Sequence, residues 1–275
     1  MSDAIEFTLA LTPNLQEDKV WREKVRPLLG DMLPNVLGIS QYGFTEILNN
    51  AIEHSEGASI VIRARRTATQ LRLEIADDGV GIFYKLKRDL QLDDERHAIL
   101  ELSKGKLTTD PQHHTGEGIF FASRVFDQFT IRSGYLRFSH HTLTGDWLLE
   151  NNVNIKGTHV SMEINPMSAR TLQAVFDEYT AGQGDYGFTR TKVPVWLAQY
   201  GDENLVSRSQ AKRVLARFER FRDIMLDFRG VSLIGQAFAD EIFRVFAQAH
   251  PDIHLAWQNA DDEIEKMIKR AKSLS

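Results

Sequence analysis

Ile5–Leu11 alternates apolar and polar residues, the period of a strand with one buried face. Pro13 then opens a helix that places Val20, Trp21, Lys24, Val25 and Leu28 at helical spacing. Pro34 breaks the pattern, and a second helix is predicted from about Asn35 to Ser55. Ser59–Arg66 and Gln70–Ala76 alternate again across a short Thr-Ala turn, which predicts a hairpin whose second strand ends at Asp77. Residues 84–114 are polar, charged and irregular, apart from a helical stretch near Asp93–Leu102. An insertion of that length between strand-rich segments is usually functional or mobile. A short apolar helix, Ile119–Phe126, follows a glycine-rich turn. Strands are then expected at Phe129–Ser133, Leu136–His140, Trp147–Glu150 and Thr158–Ile164. The order predicts an α/β sandwich over residues 1–165, a mixed sheet with helices on one face.

Asn165-Pro166 closes that block. Residues 166–190 hold a predicted helix, Ala169–Tyr179, and a linker with Gly182, Gly184 and Gly187. A different rhythm begins after it. Val193, Val195 and Leu197 alternate, and Ser207 with Gln210 makes a capping box before a helix carrying Ala211, Val214, Leu215 and Phe218. Ile224–Phe228 reads as a strand, and Phe238, Ile242, Val245, Phe246 and Ala249 mark a helix. Ile253–Trp257 is another strand. The last helix has Asp261, Asp262, Glu263 and Glu265 early and Lys266, Lys269, Arg270 and Lys272 late, in the order that complements its dipole. Strand–helix alternation over residues 191–275 predicts a smaller, separate α/β domain.

Composition narrows the class. Of 275 residues, 42% are hydrophobic and 26% charged, the balance of a globular protein. No apolar run approaches the ~20 residues of a membrane span. Met1–Glu6 lacks the basic-then-apolar order of a signal peptide, so a cytoplasmic protein without membrane association is expected. Cys is absent, which excludes disulfides, thiolate zinc sites and Cys nucleophiles. The net charge of −5 is uneven: residues 1–185 hold 19 Lys and Arg against 26 Asp and Glu, and residues 186–275 hold 14 against 12. Neither part is basic enough to predict nucleic-acid binding.

The chemistry concentrates in three segments. Glu46, Asn50 and His54 are four apart and share a helix face, while Phe44, Ile47, Leu48 and Ala51 lie opposite. Asn offers a neutral oxygen to Mg²⁺, and Glu can take a proton from an attacking water or hydroxyl. Asp77 ends a strand before Gly79 and Gly81, where a carboxylate can accept from an exocyclic amine and bare backbone can face a flat base. Thr115, Gly116, Glu117 and Gly118 precede a helix whose first amides attract phosphate. Gly157-Thr158 on a late strand could close a base pocket with a hydroxyl.

As an ordered set these segments resemble the Bergerat-fold ATPases, the superfamily of gyrase, Hsp90, histidine kinases and MutL, over roughly residues 5–165. Glu46-x-x-x-Asn50-Ala51 is similar to the N box, Asp77-x-Gly79-x-Gly81 to the first glycine box, and Gly116-x-Gly118 to the second. The resemblance implies ATP with Mg²⁺ as ligand. Glu46 would be the general base, Asn50 the magnesium ligand and Asp77 the adenine anchor. Gly79 and Gly81 would meet base and sugar, Gly116, Glu117 and Gly118 would wrap the phosphates, and Thr158 would reach the adenine edge through water. Residues of about 82–115 would form the ATP lid, where Lys104 and Lys106 are placed to meet the γ-phosphate. Histidine kinases generally carry Asn where this chain has Glu46. The 45 preceding residues contain no His, so a conventional sensor histidine kinase is not expected. Glu46-x-x-x-Asn50-Ala-x-x-His54 more closely resembles the bacterial anti-sigma-factor serine kinases.

Leu226–Glu241 resembles a STAS-like domain of unknown function. STAS domains carry a phosphorylated serine in an Asp-Ser-Ser turn, and this chain has Gly235-Gln236-Ala237 there, so phosphorylation of that turn is not expected. Arg208, Lys212, Arg213, Arg217, Arg220 and Arg222 cluster around one helix and read as a solvated face offset by Glu219 and Asp223. The sequence thus points to an ATP-binding regulatory protein in which slow hydrolysis controls a fused STAS-like module. A serine/threonine kinase acting on a separate partner and a nucleotide-sensing transcription regulator are the alternatives. A protein partner or a homodimer is implied with either.

Overall fold

The computed structural model describes residues 3–107, 116–180, 187–199 and 203–273. The chain divides into two compact units, Met1–Glu95 with Leu107–Phe176, and Arg96–Lys106 with Asp177–Ser275.

In the first unit, β1 (Asp3–Ala10), β2 (Ser59–Arg66), β3 (Leu71–Asp77), β4 (Gln128–His141) and β5 (Gly145–Ile164) form one sheet in the order β1-β2-β3-β5-β4. Every pairing is antiparallel, where a mixed sheet was expected. Alternation places Ile60, Ile62, Ala64, Leu71, Leu73 and Ile75 on the buried face and leaves Arg63, Arg65 and Arg72 exposed on the other. The helical segment after β1 runs through α1 (Glu17–Val20), a π turn (Trp21–Val25) and α2 (Arg26–Leu29). It buries Val20, Trp21, Val25 and Leu29.

The long helix α3 (Pro34–His54) starts with Pro at its first position, where a missing N–H costs nothing. It buries Val36, Ile39, Phe44, Ile47, Leu48 and Ala51 at helical spacing. Gly43 lets it lie close to Phe126: a Cβ there would stand 3.2 Å from the Met162 sulfur and nearer still to the Phe126 ring. Asn35 Nδ2 ties its start to the Ser168 and Arg170 carbonyls at 2.7 and 2.8 Å. The segment expected to be irregular holds a helix, α4 (Ile82–Asp89), that buries Phe83 and Leu86, and then α5 (Glu95–Lys104). The short α6 (Gly118–Val125) follows the second glycine turn. β4 and β5 are long and continuous, not four short strands. Gly134 (φ 58°) marks a register shift within the pair.

The second unit has a parallel sheet, β6 (Arg190–Pro194), β7 (Asp223–Asp227) and β8 (His254–Gln258), in chain order. Parallel neighbours need crossovers. α8 (Arg208–Leu215) supplies the first, and α9 (Gln236–Asp240), a π turn (Glu241–Phe246) and α10 (Ala247–Ala249) supply the second. α11 (Asp262–Ser273) ends the chain, and α7 (Leu172–Glu178) stands where the helix before the linker was expected. The Ser207–Gln210 capping box is formed. Most of the glycine-rich linker lies outside the described residues.

Candidate functional site

Asp77 is the hub. Its Oδ1 accepts from the Gly79 amide at 2.9 Å and from the Thr158 amide at 3.1 Å, so the strand exit of β3 and the Gly157-Thr158 segment of β5 close on one carboxylate. Both amides take the same oxygen, and neither consumes Oδ2. The residue is 7% exposed, and burial pushes its carboxyl up against the pull of the two amides. Its neighbour Asp78 serves the fold instead, accepting the Ala58 and Ser59 amides at 2.8 and 2.9 Å.

The glycines are required by close approach. A Cβ on Gly79 would lie 2.6 Å from the Ser55 carbonyl carbon, and Val80 N bonds the Ser55 oxygen at 2.9 Å, so the first glycine box is pressed against the end of α3. Gly157 (φ 71°) sits as tightly against the Asp77 backbone. Gly81 (φ 89°) faces Ser133, whose hydroxyl donates to the Gly157 carbonyl at 2.8 Å. Thr158 Oγ1 accepts the Ile82 amide at 3.0 Å and so holds the start of α4. Ser133 and Ser55 were not singled out from the sequence. A serine in a strand and a serine at a helix end carry no local signal of the turn they brace.

Glu46 and Asn50 lie one turn apart on α3, both half-buried. Asn50 Nδ2 donates to the Glu46 carbonyl at 2.7 Å, which leaves the amide oxygen as the outward end of that side chain. Gly118 is set directly against the Glu46 carboxylate: a Cβ there would stand 2.0 Å from Oε2. The N-box carboxylate and the second glycine turn therefore meet. Gly116 (φ 72°) accepts the Leu107 amide at 3.0 Å, Glu117 precedes α6 and its carbonyl accepts the Phe121 amide at 2.9 Å, and Thr115 lies outside the described residues.

Backbone bared by Gly79, Gly81 and Gly157 beside a buried carboxylate fits a flat base carrying an amine donor. Among the described residues no group of three ionisable ligands could hold a metal. A divalent ion fits here only with phosphate and water completing the ligands around the Asn50 oxygen.

Lys104 and Lys106, expected near the γ-phosphate, are engaged within the second unit. Lys104 is 0% exposed, and its Nζ donates to Glu101 Oε1 at 2.6 Å and to the Arg213 and Ala216 carbonyls at 3.1 Å. Three acceptors use all three ammonium protons. Lys106 Nζ donates to the Arg220 carbonyl at 3.0 Å. Arg217, read as part of a solvated face, pairs with Glu101 and is mostly buried. Burial pushes the Glu101 carboxyl up, but Lys104, His97 and Arg217 outweigh it and hold it down at about 2. Burial lowers Lys104, against the pull of Glu101.

Residues 35–137 match the family model of the histidine kinase-like ATPase domain, and residues 210–265 match that of a STAS-like domain of unknown function. The chain therefore joins a histidine kinase-like ATPase domain to a STAS-like domain, the architecture of an ATP-binding regulatory protein. No curated protein matches the chain. Among the described residues, no helix is long and apolar enough to cross a membrane.

Proposed function

We propose that the first unit binds ATP with Mg²⁺ and hydrolyses it slowly, and that the nucleotide state controls the fused STAS-like unit. The observation that carries this reading is the gathering of the Gly79 and Thr158 amides on buried Asp77. It builds a fixed carboxylate beside bare backbone, with one oxygen not taken by either amide. Asp77 would accept the adenine amine, and Gly79 and Gly81 would lie against base and sugar. Gly116, Glu117 and Gly118 would offer main-chain amides to the phosphates. Asn50 would contribute its amide oxygen to the magnesium ion, which supplies charge neutralisation at the phosphates. Glu46 would orient the attacking water and take its proton. The contact with Gly118 supports this, since it brings the carboxylate to the turn where phosphate would sit.

The protein-kinase reading is favoured by the Glu46-x-x-x-Asn50-Ala-x-x-His54 pattern, and Glu46 would then activate a hydroxyl. Gly235-Gln236-Ala237 offers no hydroxyl in the STAS-like turn, so the acceptor would be a separate protein. ATP labelled at the γ-phosphate separates the readings. Release of free phosphate by the wild type, lost in Glu46→Ala, supports the switch. Label transferred to protein supports the kinase. Equal turnover in both forms removes Glu46 from the mechanism.

A further inference from the structure

Residues 96–106 lie within the segment that the family resemblance makes the ATP lid, yet they belong to the C-terminal unit. They are held there by charge and by shape. Ala98, Ile99, Leu100 and Leu102 are buried, so α5 has almost no solvated face in this stretch. Glu101 is 2% exposed between Lys104 at 2.6 Å and Arg217, with His97 Nε2 at 3.5 Å. Thr191 Oγ1 on β6 donates to the Lys104 carbonyl at 2.7 Å. Lys106 and Arg220 exchange side-chain to main-chain bonds at 3.0 and 2.9 Å, and the Lys106 ammonium stands 5.2 Å from the Phe221 ring centroid. One residue on, the Leu107 amide bonds the Gly116 carbonyl of the second glycine turn. Leu107, whose amide is bonded to the phosphate-side turn, thus directly follows the clasp in sequence.

We infer that the STAS-like unit works as a latch, holding α5 and its two lysines through Glu101, Lys104, Arg217 and Thr191 so that they are withheld from nucleotide. This rests on the ATP reading above. In the latched state the Lys104 ammonium is spent on three protein acceptors, and the Lys106 ammonium donates to the Arg220 carbonyl. Unlatching frees them and the lid helix together. Nucleotide that favours the free lid must then weaken the clasp, and a ligand that loosens the STAS-like unit must strengthen nucleotide binding, by the same factor. A site competent in only a fraction of molecules shows an affinity reduced by that fraction.

Two substitutions test the latch at different strengths. Glu101→Gln leaves Lys104 and Arg217 buried without their carboxylate, and shifts the equilibrium toward release by at least about 100-fold. Thr191→Val removes one hydrogen bond with little change of shape, and shifts it by about 5-fold. Hydrogen exchange over residues 96–106 reads release, and titration with a fluorescent ATP analogue reads affinity, both on the full chain. The latch predicts faster exchange and tighter nucleotide binding in both variants, with Glu101→Gln ahead, and faster exchange in the wild type on adding ATP. Faster exchange with unchanged affinity overturns the latch while leaving ATP binding intact. Unchanged exchange in both variants also overturns it. If Glu101→Gln does not fold, the Thr191→Val result decides. Absence of binding by the wild type and both variants defeats the ATP reading itself, and the latch with it.

Discussion

Gly118→Ala separates catalysis from binding. The Cβ it adds would stand 2.0 Å from Glu46 Oε2, and ordinary contact begins near 3.4 Å, so the carboxylate must retreat by about 1.4 Å. That atom is the far end of a flexible side chain, and Gly118 does not have a positive φ, so the turn itself need not move. Alanine within a helix is if anything favoured, by roughly 0.5–1 kcal/mol over glycine. The fold should therefore survive. A base displaced by about 1 Å costs on the order of 100-fold in rate, which corresponds to about 2.7 kcal/mol of transition-state stabilisation. Single-turnover hydrolysis of labelled ATP at saturating nucleotide, beside a thermal melt of each protein, makes the measurement. The expected result is a rate near that of Glu46→Ala, an unchanged or raised melting temperature, and nucleotide binding within a few-fold of wild type. Wild-type turnover in Gly118→Ala, with Glu46→Ala inactive, would refute the claim that Gly118 sets the position of the base.

Gly79→Ala should behave differently, because its clash is with the Ser55 main chain. The turn itself must shift, and we expect ATP binding to be lost together with about 1–3 kcal/mol of stability, read by nucleotide titration and urea unfolding. Acid should weaken the end of the β4–β5 pair. Burial, aided by Arg124, lowers His140 from 6.5 to about 4, although Asp146 pulls it up from 2.7 Å. The unfolded chain therefore binds a proton that the folded chain refuses, and stability falls as pH drops from 6.5 to 4, by on the order of 3 kcal/mol. Asp146, held low by Arg124 and His140 against its own burial, adds a further loss as pH falls below 3.8. Urea midpoints at pH 7.5 and 4.5 should differ less in His140→Gln than in the wild type. An equal difference would remove His140 from the acid response.

Local motifs were legible where a residue's neighbours in sequence are also its neighbours in space. The face shared by Glu46 and Asn50 follows from helical spacing, and Asp77 and its glycines sit in one turn. The Ser207–Gln210 cap is likewise complete within four residues. Gly134 falls between the strands expected at Phe129–Ser133 and Leu136–His140. It is an irregularity, but one that long strands accommodate as a register shift, because the pairing on both sides continues. α4 was missed because its buried stripe is only Phe83 and Leu86 in a segment otherwise rich in charge. The destination of α5 could not be read locally. Glu101 and Lys104 look like a solvated helical pair, and only β6 and the end of α8, some 90 residues or more further on, make them a buried cluster. Arg217 was misread for the same reason: its carboxylate partner is 116 residues away.

Calorimetric titration of the wild type and of Asp77→Asn with Mg-ATP tests the central claim most directly. Asn keeps an oxygen for the Gly79 and Thr158 amides but offers adenine a neutral amide in place of a carboxylate. A hydrogen bond to a charged group contributes about 1.5–3 kcal/mol. The account predicts saturable binding at one site per chain in the wild type, weakened by roughly 10- to 150-fold in Asp77→Asn. Equal affinity in the two proteins, or no binding by the wild type, would contradict it.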